Sequence, residues 1–326
     1  MKEDDIRKRD VLNRYLEMVQ EDSVRLFQDR SAFIKIACPA CGNTEPAYQF
    51  DKMRFIYVQC EKCETIFVNP RPAYQDLMKI YVDSPSTRFW VNDFFLPMTE
   101  ARREQIFKPR AEFIAECFPG IRSGRLADIG AGFGLFLEEL KKLWHESDIV
   151  AIEPSVDMAK ICRGKGFKVL ESTLEDVDPA ERFDLMTAFE LFEHLHDPLP
   201  FIEKVHNLLN PGGYLFLTTL NGLGFDIQIL WERAKIVFPP QHLNFFNPHS
   251  MEALMVRKGF EIVEITTPGQ LDWDIIEGAY QHDRLDPGRF FKTVSRYGTA
   301  EAKRDLQQWI RDNHFSSHMR VIAKKR

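Results

Sequence analysis

The sequence predicts an α/β protein, in which a parallel sheet covered by helices is preceded by a small cysteine-rich module. From Arg125 onward, short runs of strand-forming residues alternate with amphipathic helical stretches, which is the pattern of a parallel sheet. A glycine-rich turn joins the first of these strands directly to a helix. Four of the six cysteines lie within residues 36–72 as two C-x2-C pairs, and they predict a separate module.

Length, charge and hydropathy narrow the class of protein. The chain has 326 residues, of which 44% are apolar and 28% charged, and its net charge is −6. This charge argues against a surface that neutralises phosphates, so we expect no DNA partner and disfavour RNA. No apolar run approaches the roughly 18–20 residues that span a bilayer, and the charged N-terminus lacks the apolar region of a secretory signal. We therefore expect a cytoplasmic protein without membrane association.

Changes in composition divide the chain into four parts. The first has apolar residues at helical spacing, and the third is helical and rich in aromatic residues. The amphipathic N-terminal helices permit a homodimer without requiring one. The predicted parts are residues 1–35 (amphipathic helices), 36–72 (cysteine module), 73–118 (aromatic helical linker or lid) and 119–326 (α/β domain).

The cysteine pairs predict a structural zinc site. Eighteen residues separate the two pairs, which is a spacing typical of four-thiolate zinc sites. Four protein ligands leave no coordination position for water or substrate, so the Zn²⁺ would stabilise a module too small to fold alone. Gly42 eases the turn after the first pair, whereas Glu64 stands at the matching place after the second. The predicted ligands are Cys38, Cys41, Cys60 and Cys63, and the alternative is a set of ordinary core cysteines.

The run from Arg125 to Leu140 carries the strongest chemical signal. An apolar strand ends at Asp128, three glycines follow at alternate positions, and an amphipathic helix begins at once. Glycines there allow positive φ and close approach of a ligand to free N–H groups at the helix start. The spacing is G-x-G-x-G rather than the G-x-G-x-x-G of dinucleotide-binding proteins, which argues against NAD-dependent oxidoreduction. The next strand ends at Glu153, whose carboxylate can accept hydrogen bonds from two ribose hydroxyls.

With these motifs the chain resembles the class I S-adenosylmethionine-dependent methyltransferases over about 200 residues. The resemblance implies a Rossmann-like sheet of seven strands, mostly parallel with the last one antiparallel. The cysteine module, which ends in the N-P-R-P run at Asn69–Pro72, resembles the zinc ribbon of a bacterial subgroup that includes enzymes acting on sugars or secondary metabolites. The matching runs in the sheet domain are Phe167–Leu170, Ser172–Glu175, Phe183–Glu190, Leu191–Leu195 and Leu209–Leu217.

The resemblance also implies a set of cofactor-binding residues for S-adenosylmethionine. The methionine end would be held by Asp128, Gly130, Gly132 and Gly134, and the ribose by Glu153. The surroundings of the adenine would include Thr173, Leu174 and Phe189. Phe133, Pro154 and Glu190, which adjoin these positions, complete the predicted set.

An insertion of about fifty residues, 267–318, separates the sixth strand from the closing strand. Because the sixth strand ends at the carboxyl edge of the sheet, where ligands bind, we predict that this insertion forms a substrate cap. The segment 221–248 leaves the same edge. Histidines that can reach the edge are candidate general bases: His242, His194 and His318. The alternative for each is a structural hydrogen bond, in the case of His194 within its own loop.

The predicted function is a methyltransferase that uses S-adenosylmethionine on a small molecule, by direct in-line transfer. We expect a sugar, a nucleotide sugar or another glycan precursor, with O-methylation slightly favoured over N- or C-methylation. One alternative is an RNA base methyltransferase, which the negative charge disfavours. Another is a non-catalytic S-adenosylmethionine-binding zinc-ribbon scaffold, although the intact glycine turn, Asp128 and Glu153 argue against a decayed site.

Overall fold

Two sheets organise the protein. The structure, a computed structural model, describes residues 3–326. The strands are β1 Ala47–Lys52, β2 Phe55–Gln59, β3 Ile66–Val68, β4 Arg125–Ile129, β5 Asp148–Ile152, β6 Lys168–Leu170, β7 Phe183–Phe189, β8 Leu209–Leu220, β9 Asn244–Phe245, β10 Phe260–Thr266 and β11 His318–Lys325.

The larger sheet has seven strands in the order β10-β11-β8-β7-β4-β5-β6. All neighbouring pairs from β6 to β8 are parallel, and β11 runs antiparallel to both β8 and β10. This confirms the predicted Rossmann-like methyltransferase sheet with an antiparallel last strand. The central strand β4 is buried from Leu126 to Ile129, the carboxyl group of Asp128 included, as expected in a sheet covered on both faces.

Helices cover the sheet and build most of the N-terminal third of the chain. They are α1 Glu3–Ile6, α2 Arg9–Leu26, α3 Tyr74–Asp83, α4 Pro85–Phe89, α5 Thr99–Arg102, α6 Lys108–Cys117, α7 Leu135–Leu143, α8 Val156–Gly164, α9 Pro198–Leu208, α10 Phe225–Leu230, α11 Pro248–Arg257, α12 Asp272–Gln281, α13 Gly288–Tyr297 and α14 Ala300–Asp312. Two π-helical turns, Trp90–Phe95 and Arg103–Phe107, lie in the aromatic segment. None of the helices in residues 3–326 is long and apolar enough to cross a bilayer.

Local sequence explains where several of the sheet-covering helices begin. Before α9 the side chain of Asp197 accepts a hydrogen bond from the Leu199 N–H, and proline occupies the first helical position. Before α11 Asn247 and Ser250 form a reciprocal capping box. These caps satisfy N–H groups that would otherwise lack partners, and they fix helices that flank the carboxyl edge of the sheet.

The smaller sheet has the order β1-β2-β3-β9, and its fourth strand comes from outside the cysteine module. β9 belongs to the segment that follows β8, so this segment crosses from the large sheet to the small one. Arg71, at the end of the module, is fully buried and donates hydrogen bonds to the carbonyls of Val68 and His196 and to Asn244 Oδ1. Residues on the module, on β9 and on the loop after β7 are thereby joined.

The insertion between β10 and β11 folds as the three helices α12–α14. Asp272, at the start of α12, is buried and accepts hydrogen bonds from Ser316 Oγ and the Ser317 N–H, each at 2.7 Å. Its carboxylate therefore holds the two ends of the insertion together. The strand β11 begins at His318, so this histidine is part of the sheet rather than of the inserted helices.

Candidate active site at the carboxyl edge of the sheet

The predicted functional residues meet where the parallel strands end. Ile129, Ile152 and Phe189 are the last residues of β4, β5 and β7. His318, the first residue of β11, pairs with Leu220, the last residue of β8. Because β11 is antiparallel, its beginning lies at the edge where the other strands end. The topology therefore brings the glycine turn, the loop after β7 and His318 to one edge.

The glycine turn between β4 and α7 adopts the conformation that its sequence predicts. Gly130, Gly132 and Gly134 have φ values of +71°, +55° and +69°. A Cβ atom at Gly132 would meet no atom within 4 Å, whereas one at Gly134 would lie 3.0 Å from Cys162 Sγ. Gly132 thus faces open space, and Gly134 allows α7 to approach α8. A turn that is open on one side and tightly packed on the other fits a bound ligand.

Two buried carboxyl groups flank this turn. Asp128 Oδ1 accepts a hydrogen bond of 2.7 Å from Thr187 Oγ1, and burial raises the pKa of Asp128 to about 7. Glu153 accepts hydrogen bonds from the N–H groups of Gly132 (2.7 Å) and Ser155 (2.9 Å), and burial raises its pKa as well. The carboxylate of Glu153 therefore supports the turn while keeping lone pairs that could accept ribose hydroxyls. The residues present fit a nucleoside with an amino-acid end.

The residues predicted to surround the adenine lie beside the ends of β5, β6 and β7. Leu174 is buried, and Thr173 Oγ1 donates to Asp176 Oδ2 at 3.0 Å. Pro154 is exposed directly after β5. Phe189 packs against Phe136, with ring centroids 4.7 Å apart. These positions frame one side of the edge, and their role in binding adenine stays a prediction.

Glu190 stands at the centre of a charged network that sequence analysis did not foresee. It has a φ of +50° and accepts hydrogen bonds from Arg110 (3.1 Å) and Thr218 Oγ1 (2.7 Å), while His318 Nδ1 lies 3.4 Å away. Enclosure by protein would raise the pKa of Glu190, but the charges of His318 and Arg110 together with hydrogen bonds hold it well below its usual range. Its side chain remains 39% accessible, so an ionised carboxylate is exposed at this edge of the sheet.

His194 and His242 lie together, as a pair of neutral imidazoles. Their ring centroids are 4.8 Å apart, and their Nδ1 atoms lie 2.9 Å from the Gln241 carbonyl oxygen and 2.6 Å from that of Ile236. Because a carbonyl only accepts, each Nδ1 carries the proton and each Nε2 keeps a free lone pair. Burial lowers the pKa of His194 to about 4 and that of His242 to about 3. Both rings are neutral at physiological pH.

The hydrogen-bond partner of His194 differs from the one that its structural alternative predicted. A structural role for His194 would place its hydrogen bond within its own loop, but its Nδ1 instead bonds to Gln241, in the segment after β8. Tyr15 of α2 donates to Gln241 Oε1 at 2.7 Å, so the N-terminal helix also reaches this site. His318 is separate from the pair and faces Glu190. Of the three candidate histidines, the structure therefore brings two into contact.

Glu193 adds a third titratable group to the histidine pair. One carboxylate oxygen of Glu193 and one ring nitrogen of each histidine all lie within 4.8 Å of one another. Thr219 Oγ1 donates to Glu193 at 2.8 Å. Burial, and to a lesser extent the charge of Glu190, raise the pKa of Glu193 to about 8. Near neutral pH this carboxyl group is largely protonated and lies next to two neutral imidazoles.

The four cysteines of the module converge on one point. Their Sγ atoms all lie within 4.8 Å of one another, with 3.5 Å between Cys38 and Cys63 and between Cys41 and Cys60. Each pair lies in a tight turn, closed by N–H bonds from residue 42 to Cys38 O (2.9 Å) and from Glu64 to Cys60 O (2.8 Å). Glu64 adopts a φ of +59°, the left-handed conformation that glycine adopts more readily. The donor set and its closed geometry fit a tetrahedral metal such as Zn²⁺.

Comparison with known proteins gives the family. A family described as a methyltransferase domain matches residues 98–265. A ubiquinone biosynthesis O-methyltransferase of Bradyrhizobium sp. (strain ORS 278) is 35% identical over 111 residues, covering 32% of this chain and 42% of that protein. A protein of the same name from Azorhizobium caulinodans is 29% identical over 154 residues, covering 43% and 60% of the two chains. A methyltransferase structure from Archaeoglobus fulgidus aligns with 18% identity and a TM-score of 0.48, covering 71% of this chain and 100% of that chain.

The sheet order and the glycine turn define a class I S-adenosylmethionine-dependent methyltransferase domain. This chain belongs to the methyltransferase-domain family, because the family match covers just over half of its residues. It spans 42% and 60% of the length of the two curated relatives named above.

Proposed function

We propose that this protein transfers the methyl group of S-adenosylmethionine to a hydroxyl group of a small molecule. The observation that carries the proposal is the meeting, at one sheet edge, of the glycine turn and the neutral pair His194 and His242. O-methylation requires both a cofactor site and a group that accepts the hydroxyl proton. Relatives named O-methyltransferases, which are similar over part of the chain, support the same reaction.

The cofactor-binding roles follow from the arrangement of the edge. Gly132 offers open backbone, Asp128 a buried carboxyl group for the methionine end, and Glu153 an acceptor for ribose hydroxyls. When bound, S-adenosylmethionine supplies a methyl group already activated by its sulfonium. The protein's contribution is therefore to align the acceptor and exclude water, which for well-oriented reactants is worth on the order of 7–11 kcal/mol.

For the proton acceptor we assign His242, with His194 as its neighbour. The hydrogen bond from Nδ1 to the Ile236 carbonyl fixes the His242 ring and leaves Nε2 as the basic atom. Neither histidine's Nε2 has a hydrogen-bond partner among residues 3–326. Burial lowers the pKa of both rings, so their Nε2 atoms are unprotonated at physiological pH. Glu193 adjoins the pair.

We also propose that the cysteine quartet holds a structural Zn²⁺. Four thiolates would complete the coordination shell, so the metal would take no part in methyl transfer. The metal would help to position His242 through Tyr57 of β2, whose hydroxyl donates to the His242 carbonyl at 2.7 Å.

The acceptor class stays a prediction: a sugar, nucleotide sugar or other glycan precursor. The test is to incubate the protein with methyl-labelled S-adenosylmethionine and cell extract, and to separate small molecules, glycans, RNA and protein. The expected result is label in the small-molecule or glycan fraction. Acid or base hydrolysis of that fraction should then yield the label as an O-methyl product. Label in RNA alone would overturn the proposal. The His242→Gln variant should label the product about 10²- to 10⁴-fold more slowly, and His249→Gln, which alters an exposed histidine, serves as the matched control.

A further inference from the structure

Tyr15, in the middle of helix α2, contacts the segment that follows β8. Its side chain is buried, and the centroid of its ring lies 5.7 Å from that of Phe238 and 4.8 Å from that of Trp90. Its hydroxyl group donates a hydrogen bond to Gln241 Oε1 at 2.7 Å. Tyr15 therefore contacts the turn 238–242 near both of its ends.

This turn sets the positions of the two neighbouring histidines. The His242 N–H donates to the Phe238 carbonyl at 2.9 Å, and this hydrogen bond closes the turn. The Gln241 carbonyl accepts a hydrogen bond from His194 Nδ1 at 2.9 Å. A displacement of Gln241 would therefore move the hydrogen-bond acceptor of one imidazole and the backbone next to the other.

The hydroxyl group of Tyr15 is what holds the side chain of Gln241. Both side chains are buried, and no other group in the part of the chain that the structure describes hydrogen-bonds to the Gln241 side chain. Burial raises the pKa of Tyr15 well above its usual range, so the phenol stays protonated and keeps donating at physiological pH. Without this hydroxyl the buried amide would lose its partner, and the cost of that loss favours its displacement.

Polar contacts on both sides of Tyr15 fix the helix that carries it. Asn13 Oδ1 accepts a hydrogen bond of 2.8 Å from Lys235 Nζ, in the segment after β8. Asp22 is buried and accepts a hydrogen bond of 2.9 Å from the Ser86 N–H, in α4. A helix held at two points presents Tyr15 in one position, as a residue that orients others requires.

We propose that Tyr15 is a positioning residue for methyl transfer, which acts through Gln241 on the imidazole pair. The inference rests on the proposed function, in which His242, with His194 beside it, accepts the proton of the acceptor hydroxyl. Tyr15 lies outside residues 98–265, which match the methyltransferase family, so that match does not account for it. The N-terminal helix α2 thus completes a site whose other parts belong to the sheet domain.

A double-mutant cycle separates the hydroxyl group from the packing of the ring. Tyr15→Phe keeps the ring, and Gln241→Met removes the amide that the hydroxyl holds. The rate of methyl transfer from labelled S-adenosylmethionine to cell extract should fall about 10- to 100-fold in Tyr15→Phe, because a displacement of about 1 Å can cost that much. In the Gln241→Met background, Tyr15→Phe should lower the rate no further. Calorimetry should give all four proteins the same affinity for S-adenosylhomocysteine, and Tyr297→Phe, at an exposed tyrosine, is the matched control.

A second measurement needs no acceptor substrate. Nitrogen-15 NMR of labelled histidine rings shows which ring nitrogen carries the proton. In wild type His194 should be protonated at Nδ1 alone, and in Tyr15→Phe its two nitrogen signals should move toward each other as the tautomers mix. Unchanged signals in Tyr15→Phe would overturn the proposed effect on His194.

The two measurements distinguish failure of this inference from failure of the proposed function. If wild type labels RNA alone or does not bind S-adenosylhomocysteine, the proposed function is wrong, and the NMR signals still test Tyr15. If Tyr15→Phe transfers methyl groups at the wild-type rate, or lowers the rate equally in the Gln241→Met background, the role of Tyr15 is overturned. Circular dichroism reports folding. Should Tyr15→Phe not fold, Gln241→Met decides, because it breaks the same hydrogen bond and a wild-type rate would contradict the proposal.

Discussion

The imidazole rings of His194 and His242 pack edge to face at 4.8 Å, although one follows β7 and the other lies in the segment after β8. Each donates its Nδ1 proton to a backbone carbonyl, so both rings present an unprotonated nitrogen. Like charges at this distance repel, and the proximity of His194 contributes, after burial, to the lowered pKa of His242. Burial keeps both rings neutral, and for His242 the repulsion from His194 adds to it.

The first prediction follows from that neutrality. His242→Gln removes the proposed proton acceptor while keeping a polar side chain of similar length. Methyl transfer should fall about 10²- to 10⁴-fold, the usual contribution of general base catalysis. Affinity for S-adenosylhomocysteine should stay unchanged, because His242 is not among the proposed cofactor-binding residues. Turnover and calorimetry check the two expectations, and full activity in His242→Gln would remove the histidine from the mechanism.

The second prediction concerns Glu193, whose burial raises its pKa from 4.5 to about 8. Between these values the folded protein keeps a proton that the unfolded chain has released, so stability falls as pH rises through this window. Glu193→Gln lacks that loss. The free energy of unfolding of the variant relative to wild type should therefore rise from pH 5 to pH 8, by at most about 1.4 kcal/mol per pH unit. Urea unfolding at several pH values measures this, and parallel pH profiles would contradict it.

The sheet and the glycine turn were predictable because their signals are local. Strands such as β4 and β5 are short apolar runs with an acidic residue, Asp128 or Glu153, next to their last residue. The glycines that follow β4 indicate the positive φ values that the turn requires. The two residues of β9 carry no periodic pattern, and their pairing with β3 depends on contacts distant in sequence. The same holds for Arg110 beside Glu190 and for Arg102, whose placement depends on stacking with Phe95. A single arginine in a helix gives no indication of such a partner.

The third prediction tests how Arg71 attaches the cysteine module to the rest of the protein. Arg71 is buried and donates to three oxygens, on Val68, His196 and Asn244. Arg71→Met would leave these acceptors without a partner, at about 1–3 kcal/mol for each buried group. We expect the free energy of unfolding to fall by about 3 kcal/mol or more, and denaturant titration measures it. Arg122→Met, at an exposed position, should change it by less than about 0.5 kcal/mol.

The fourth prediction links the proposed metal to the active site. Cys60→Ser removes one of the four thiolates, and bound zinc, measured by atomic emission, should fall from one per chain to none. Since Cys60 directly follows β2, and Tyr57 of β2 donates to the His242 carbonyl, loosening this turn should displace His242. Methyl transfer should therefore decline more than affinity for S-adenosylhomocysteine, whose proposed site lies on the other sheet. Cys117→Ser, which alters an exposed cysteine outside the quartet, is the matched control. Unchanged turnover in a zinc-free Cys60→Ser protein would contradict this prediction. It would show that the metal is not needed to hold His242 in position.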